Sequence, residues 1–232
     1  MLPWLKTVDD FPPVTQALTA PAGLLAAGGD LSAEWLIGAY SRGIFPWFNA
    51  DQPILWWSLD PRMVLFPQEL RVPHSLKRVM RKHQYEIRVD TAFRQVMEGC
   101  SQPRAGQDGT WISPQMIAAY TELHRLGVAH SVETWINGEL AGGLYGIALG
   151  RVFYGESMFT RVADASKIAF VHLVRQLQRW QFKVIDCQMN TAHLARFGAR
   201  EIPRADFMQL LAEGVHAPGV TLPWQLEGDL VE

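Results

Sequence analysis

Cysteine is scarce in this chain. Only Cys100 and Cys187 occur among 232 residues, too few for a disulfide scaffold and without metal-ligand spacing. No apolar run approaches the roughly 20 residues needed to span a bilayer, so no membrane partner is expected. The opening stretch MLPWLKTVDDFPP lacks a basic segment followed by an apolar one. No secretory signal is therefore expected, and cytoplasm is the default location. A strong charge of either sign is also missing. With a net charge of −2 the chain exerts no global pull on a polyanion, and any contact with nucleic acid must come from a local patch. The seven histidines show no ligand spacing, and no P-loop, dinucleotide fingerprint or metalloprotease motif is present, so neither a metal nor a cofactor is expected.

What is present suits a folded protein. Hydrophobic residues make up 48% and charged residues 19% of the chain, ordinary values for a globular protein. The length fits one large domain or two smaller ones with ample core. Tryptophan is abundant, nine in all, with Trp47, Trp56 and Trp57 close together. Such side chains are costly to expose and well suited to stacking flat ligands.

The first sixty or so residues are rich in Pro and Gly and hold one short helix, with Ser32 or Asp30 as its cap and Gly43 at its end. ILWWSLDPRMVLFP reads as two short strands broken at Asp60-Pro61, and a boundary near Arg62 divides an N-terminal domain, 1–62, from a second domain, 63–232. A basic helix HSLKRVMRKH and a strand YEIRVD follow, then a helix TAFRQVMEGC capped by Asp90 or Thr91. The helix SPQMIAAYTELHRLG is well marked, with Ser113 as cap, Pro114 in its first turn and Gly127 at its end. Asn137-Gly138 predicts a hairpin and Gly150-Arg151 a second reversal, giving a three-stranded antiparallel meander. A helix SKIAFVHLVRQLQRW, a strand KVIDCQ and two further helices complete the chain. Meander, helix, strand and helix make an α+β or mixed α/β fold.

Three polar residues stand out against apolar strands. In FKVIDCQMN, strand alternation would put Asp186 and Gln188 on one face. They read either as strand-end residues bonded to nearby loops or as a polar site set in an apolar wall. Glu156 is the lone charge in FYGESMF. It reads either as the partner of Lys167 or Arg161 or as a third group in that same site, walled by Phe153, Met158 and Ile185. Lys77, Arg78, Arg81 and Lys82, flanked by His74 and His83, form either a solvated face or a track for a phosphate backbone.

The ordered set GGDLS, GIFPWF, ILWWSLDPR, EGC, GTWIS, GESMF and IDCQ resembles the leucyl/phenylalanyl-tRNA–protein transferase family from about Gly23 to Arg204. The resemblance implies transfer of Leu or Phe from aminoacyl-tRNA to the N-terminal Arg or Lys of a protein, marking it for N-end rule degradation. A monomer is the expected form. The implied fold is α+β: a small N-terminal domain, then a GNAT-like acyltransferase domain whose mixed, mostly antiparallel sheet is flanked by helices. The resemblance further implies catalytic roles for Asp186 and Gln188, with Glu156 grouped beside them. It places the terminal adenosine between Trp47 and Trp111, and the amino-acid side chain against Phe153, Met158 and Ile185. Tyr120, Leu144, Leu173 and Leu177 are expected in the same substrate-binding region, and Lys77, Arg78, Arg81 and Lys82, where their charge run is more than a solvated face, are the residues expected to bind tRNA.

The residues themselves agree with this chemistry. An aminoacyl ester is already activated, so no nucleophilic Ser or Cys is required. The attacking amine must lose a proton as it adds to the carbonyl. Gln188 can accept a hydrogen bond from that amine, and Asp186 is expected to polarise it by accepting from its amide nitrogen. An acetyl-CoA-dependent transferase would want a Gly-rich pyrophosphate anchor, which TRVADASKIAF does not supply. An RNA-binding module without catalysis would leave Glu156, Asp186 and Gln188 unexplained.

Overall fold

A computed structural model describes residues 2–82, 84–103 and 110–228, so His83 lies outside the described residues. The N-terminal segment builds a small sheet from β1 (Trp4–Leu5), β2 (Leu24–Gly28), β3 (Phe45–Pro46) and β4 (Leu55–Trp57), in the order β1-β2-β4-β3. Helix α1 (Ala33–Tyr40) follows β2 and buries Trp35, Leu36, Ala39 and Tyr40. Ser32 stands at its N-cap without a side-chain capping bond, and Asp30 instead accepts the Ser32 N–H at 2.7 Å. The tryptophan cluster divides into two roles. Trp56 is fully buried, stacks with Trp35 at 6.1 Å and donates its indole N–H to the Gly28 carbonyl at 2.8 Å. It is core, whereas Trp47 remains 39% exposed.

The larger sheet contains β5 (Arg62–Leu65), β6 (Glu86–Val89), β7 (Ala129–Ile136), β8 (Glu139–Leu149), β9 (Val152–Thr160), β10 (Val184–Gln188) and β11 (Arg200–Ile202). Its order is β11-β5-β10-β9-β8-β7-β6. Every pairing is antiparallel except that of β9 with β10. The connection between those two is α5 (Ala165–Arg179), the helical crossover that a parallel pair requires. The remaining helices are α2 (His74–Met80), α3 (Phe93–Cys100), α4 (Pro114–Arg125), α6 (Ala192–Ala195) and α7 (Arg204–Gly214).

Both faces of the sheet are covered. On one, Leu144, Phe153 and Ile185 pack against Ile168, Leu173 and Leu177 of α5. On the other, Tyr145, Ile147 and Tyr154 meet α3 and α4, and this core runs on without a break into Trp56, Tyr40 and Phe45 of the N-terminal segment. The architecture is thus a mixed, mostly antiparallel sheet between helices, as the element order implies.

Several local expectations hold and others need correction. Ser113 caps α4 by accepting the Met116 N–H at 3.2 Å, and Asn137 and Gly138 turn with φ of 52° and 78°. Neither Asp90 nor Thr91 caps α3. The fully buried Glu133 on β7 accepts the Ala92 N–H at 2.8 Å and also the Thr91 hydroxyl. Asp90 turns away to the Ser131 N–H and the His130 ring. A carboxylate from a neighbouring strand replaces the local cap, a contact that sequence spacing does not reveal. Helix α2 also ends earlier than its charge run suggests, with Arg81 at its C-cap.

Candidate active site

Strands β9 and β10 pair in register only as far as Asp186 opposite Tyr154. Beyond that point both become irregular. A shift in the β10–β5 ladder between Asp186 and Gln188 leaves Cys187 as an extra residue, and Gln188 adopts a left-handed φ of 59°. Glu156 falls in a second register shift, between Tyr145 and Gly146 on β8. Bulges of this kind re-aim side chains where a regular ladder would hold them flat. Here they open the two strands into a cleft and turn Gln188 toward Glu156.

The bulge also breaks the alternation that would have put Asp186 beside Gln188 on one face. Asp186 is fully buried and faces Arg62, likewise at zero exposure, in a two-point ion pair: Nε to Oδ1 at 2.8 Å and Nη2 to Oδ2 at 2.7 Å. The guanidinium lies between the rings of Phe45 and Phe207, its carbon 4.8 Å from each centroid, and donates Nη1–H to the Gly43 carbonyl at 3.2 Å. Asp186 reaches Gln188 only through the backbone, accepting its N–H on Oδ1 at 2.9 Å. The expected Asp186 contact with the side-chain amide is therefore not made. Glu156 makes it instead, accepting the Gln188 Nε2–H on Oε1 at 3.0 Å.

Glu156 is held from behind by two tyrosines. Tyr40 of α1 donates to its Oε1 at 2.8 Å, Tyr120 of α4 approaches its Oε2 at 3.4 Å, and the two hydroxyls lie 2.5 Å apart. A further hydroxyl, that of Tyr154, fixes the end of α1 by donating to the Tyr40 carbonyl at 2.8 Å. Burial pushes the Glu156 carboxyl up from 4.5 to about 7, with the charge of Asp186 adding to the rise and the bonds from Tyr40, Gln188 and Tyr120 opposing it. Burial, together with the negative charge of Glu156, raises both Tyr40 and Tyr120 well above 10, so both remain O–H donors. Lys167 and Arg161 take no part: Lys167 pairs with Asp164 at 2.6 Å, and Arg161 donates to the Leu140 carbonyl at 3.2 Å.

Glu156 and Gln188 stand at the wall of a cavity of about 740 Å³ whose apolar lining includes Leu144, Phe153, Met158, Leu173 and Ile185, with Trp111 and the polar Arg161, Ser166, Thr191 and His193 also at its wall. This volume lies within the range of small-molecule sites. Other expected site residues lie elsewhere. Tyr120 stands behind Glu156, outside the wall. Leu177 is fully buried in the core beneath α5. Trp47 is outside the wall as well, its ring tilted 60° against Trp57 at 5.4 Å. Arg62 and Tyr40 were not singled out from sequence. The Pro after Asp60 and the aromatic run before it draw attention away from Arg62, and Tyr40 reads simply as the apolar side of α1.

Lys77, Arg78, Arg81 and Lys82 are all exposed and make no ion pair among the described residues. No group of three or more His, Cys, Asp or Glu side chains among the described residues is placed to hold a metal. No helix among them is long and apolar enough to cross a membrane.

Two family models match the chain: the leucyl/phenylalanyl-tRNA protein transferase N-terminal domain over residues 29–60 and the leucyl/phenylalanyl-tRNA protein transferase over 64–212. A leucyl/phenylalanyl-tRNA–protein transferase of Nitrosospira multiformis is 62% identical over 232 residues, covering 100% of both chains. One of Chromobacterium violaceum is 61% identical over 224 residues, covering 97% of this chain and 96% of that one. Among solved structures, a GCN5-related N-acetyltransferase from Kribbella flavida matches with a TM-score of 0.32 at 10% identity, over 71% of this chain and 58% of the other, too distant to bear on activity. Identity of this degree across the whole length leaves a single assignment: the chain belongs to the leucyl/phenylalanyl-tRNA–protein transferase family, enzymes that pass Leu or Phe from aminoacyl-tRNA to protein N-termini.

Proposed function

We propose that the acceptors are proteins beginning with Arg or Lys, that the enzyme works as a cytoplasmic monomer, and that the reaction runs in the cleft between β9 and β10. The observation that supports placing the reaction there is the 3.0 Å bond between Glu156 and Gln188 at the wall of the cavity. The Leu or Phe side chain enters the cavity against Phe153, Met158 and Ile185, with Leu144 and Leu173 completing the wall. The terminal adenosine of the tRNA stacks on Trp111. Residues 1–62 contribute Tyr40 and, at their boundary, Arg62; residues 63–232 contribute the rest of the site.

The donor ester and the acceptor amine then meet beside Gln188. The acceptor arrives as an ammonium and passes one proton to Glu156, the carboxylate on the cavity wall that burial holds near neutral affinity for protons. The Gln188 side-chain N–H is already engaged by Glu156, which leaves its carbonyl oxygen free to accept from the amine and aim its lone pair. The amine nitrogen bonds to the ester carbonyl carbon, the bond from that carbon to the ribose oxygen breaks, and the nitrogen's surplus proton ends on the ribose oxygen. Asp186 orients rather than touches: with Arg62 it fixes the strained backbone of Gln188. Much of the acceleration comes from holding the two substrates in line.

The deciding experiment incubates the protein with charged Leu-tRNA or Phe-tRNA and peptides differing only in their first residue. Mass gain of one Leu or Phe on Arg- and Lys-starting peptides, and none on an Ala-starting control, supports the proposal. Equal reaction with all three peptides would remove the acceptor assignment.

A further inference from the structure

The chain from Val215 onward lies beyond both family-matched segments, yet it is fastened to the larger sheet and α5. Leu222 packs over Gly127, a residue with φ of 72° and no side chain to obstruct it. The Glu227 N–H donates to Gln176 Oε1 at 2.8 Å, and the Glu227 carboxylate accepts from Arg179 at 2.6 Å and from Gln176 Nε2 at 3.3 Å. Gln176 is fully buried, so the tail supplies hydrogen bonds that this amide could not obtain from water.

Trp224 lies between these anchors and is buried, 5% exposed. Its ring stacks face to face on His130, with centroids 3.6 Å apart and planes 3° from parallel. Asp90 holds the edge of that imidazole, its Oδ2 2.7 Å from Nδ1. Trp180 meets the indole edge-on at 4.9 Å, and Phe182 at 6.3 Å. The indole is therefore clamped on several sides and has little freedom to shift.

A further neighbour of Trp224 is Phe153, at 6.3 Å between ring centroids. Phe153 is 1% exposed and forms part of the cavity wall. Its ring also lies so close to Gly146 that a Cβ there would sit 2.5 Å from its Cζ. Gly146 leaves room for the ring, Trp224 lies beside it, and the cavity meets it on another side.

We propose that Trp224 is a positioning residue for donor selectivity: by bracing Phe153 it sets the depth of the cavity that receives the Leu or Phe side chain. The inference rests on reading that cavity as the amino-acid pocket. A deeper cavity favours the larger side chain, because added apolar contact is worth severalfold in relative rate. The test measures the ratio of kcat/KM for Phe-tRNA over Leu-tRNA with one acceptor peptide. A variant that merely folds less well lowers both rates together and leaves the ratio unchanged.

Trp224→Ala should raise that ratio about threefold or more, and Trp224→Phe, which keeps one ring, should raise it by less. If the Ala variant does not fold, the Phe variant decides the matter by the same ratio. Phe153→Leu is the control on the pocket itself and should shift the ratio in the same direction. A ratio that moves with Phe153→Leu but stays constant or falls with the Trp224 variants overturns the inference alone. A ratio indifferent to Phe153→Leu overturns the pocket reading and the inference with it.

Discussion

Arg62 and Asp186, 124 residues apart in the chain, meet in a fully buried two-point ion pair at 2.7 and 2.8 Å. From sequence alone, Asp186→Ala reads as a catalytic lesion with an intact fold. The structure predicts otherwise, since the substitution strands a guanidinium at zero exposure between Phe45 and Phe207. Breaking one side of such a pair costs about 3–5 kcal/mol, whereas replacing both sides by apolar residues is often close to neutral. Asp186→Ala should therefore lower the urea midpoint sharply, and Arg62→Met with Asp186→Leu should recover most of that loss. Neither variant should recover aminoacyl transfer, because the Gln188 N–H loses its acceptor in both. Wild-type transfer by the double variant would separate Asp186 from the reaction.

The Glu156 carboxyl, raised by burial to about 7, makes activity and stability respond to pH in opposite directions. In the proposed mechanism the ionised form takes the acceptor's proton, so kcat/KM should fall about tenfold for each pH unit below the Glu156 value. Glu156→Gln should abolish that step and reduce turnover roughly a hundredfold or more. Stability has the reverse sign. A folded-state value above the unfolded 4.5 means the folded protein holds the proton more tightly, so this contribution is full below pH 4.5 and is lost as pH rises through about 7. Melting temperatures of wild type and Glu156→Gln, compared from pH 4.5 to 8, should diverge in favour of the variant as pH rises. Parallel curves would show that Glu156 titrates as an ordinary carboxylate.

Elements whose signals are local were legible in the sequence. Ser113 and Pro114 start α4 through contacts within one turn, and Asn137-Gly138 reverses β7 into β8 through its own backbone preference. The parts of the site that depend on distant neighbours were not. Glu133 substitutes for a local cap on α3. Tyr40, buried on α1 like its apolar neighbours, spends its hydroxyl on a carboxylate 116 positions away. The residue types Asp, Gln and Glu against apolar strands did indicate a site, but their connections could not be read. Strand alternation presumes a regular ladder, and the shifts at Cys187 and Glu156 break it where the cleft opens.

Trp111 is partly buried at the cavity wall, the position from which a ring can stack on the adenosine. Trp111→Ala should weaken binding of aminoacyl-tRNA by about 1–3 kcal/mol, the usual worth of one base stacked on an aromatic ring. Titration of the variant with charged tRNA measures this directly. If Trp111 instead only packs beside α4, the variant will melt earlier while its affinity for tRNA is unchanged.

The basic segment at α2 offers a separate test of how the rest of the tRNA is held. Lys77 and Arg78 occupy the last turn of α2, Arg81 continues it in helical conformation as the C-cap, and all four cations through Lys82 are exposed. Residues spaced i, i+1, i+4 and i+5 lie in adjacent rows on one side of a helix. The chain is slightly acidic overall, with a net charge of −2, so a polyanion must dock on such a local surface. Each phosphate contact displaces counterions, and affinity falls with salt by a slope set by the number of contacts. Arg78→Glu with Arg81→Glu should therefore raise KM for Leu-tRNA and flatten its dependence on salt. Transfer from a minimal aminoacyl-adenosine donor, which has no acceptor stem, should barely change, and the preference between Leu and Phe should stay as it was, since the proposed amino-acid pocket lies apart from these cations. An unchanged KM and an unchanged salt slope for full-length Leu-tRNA would make these four cations a solvated face and move the tRNA track elsewhere on the molecule.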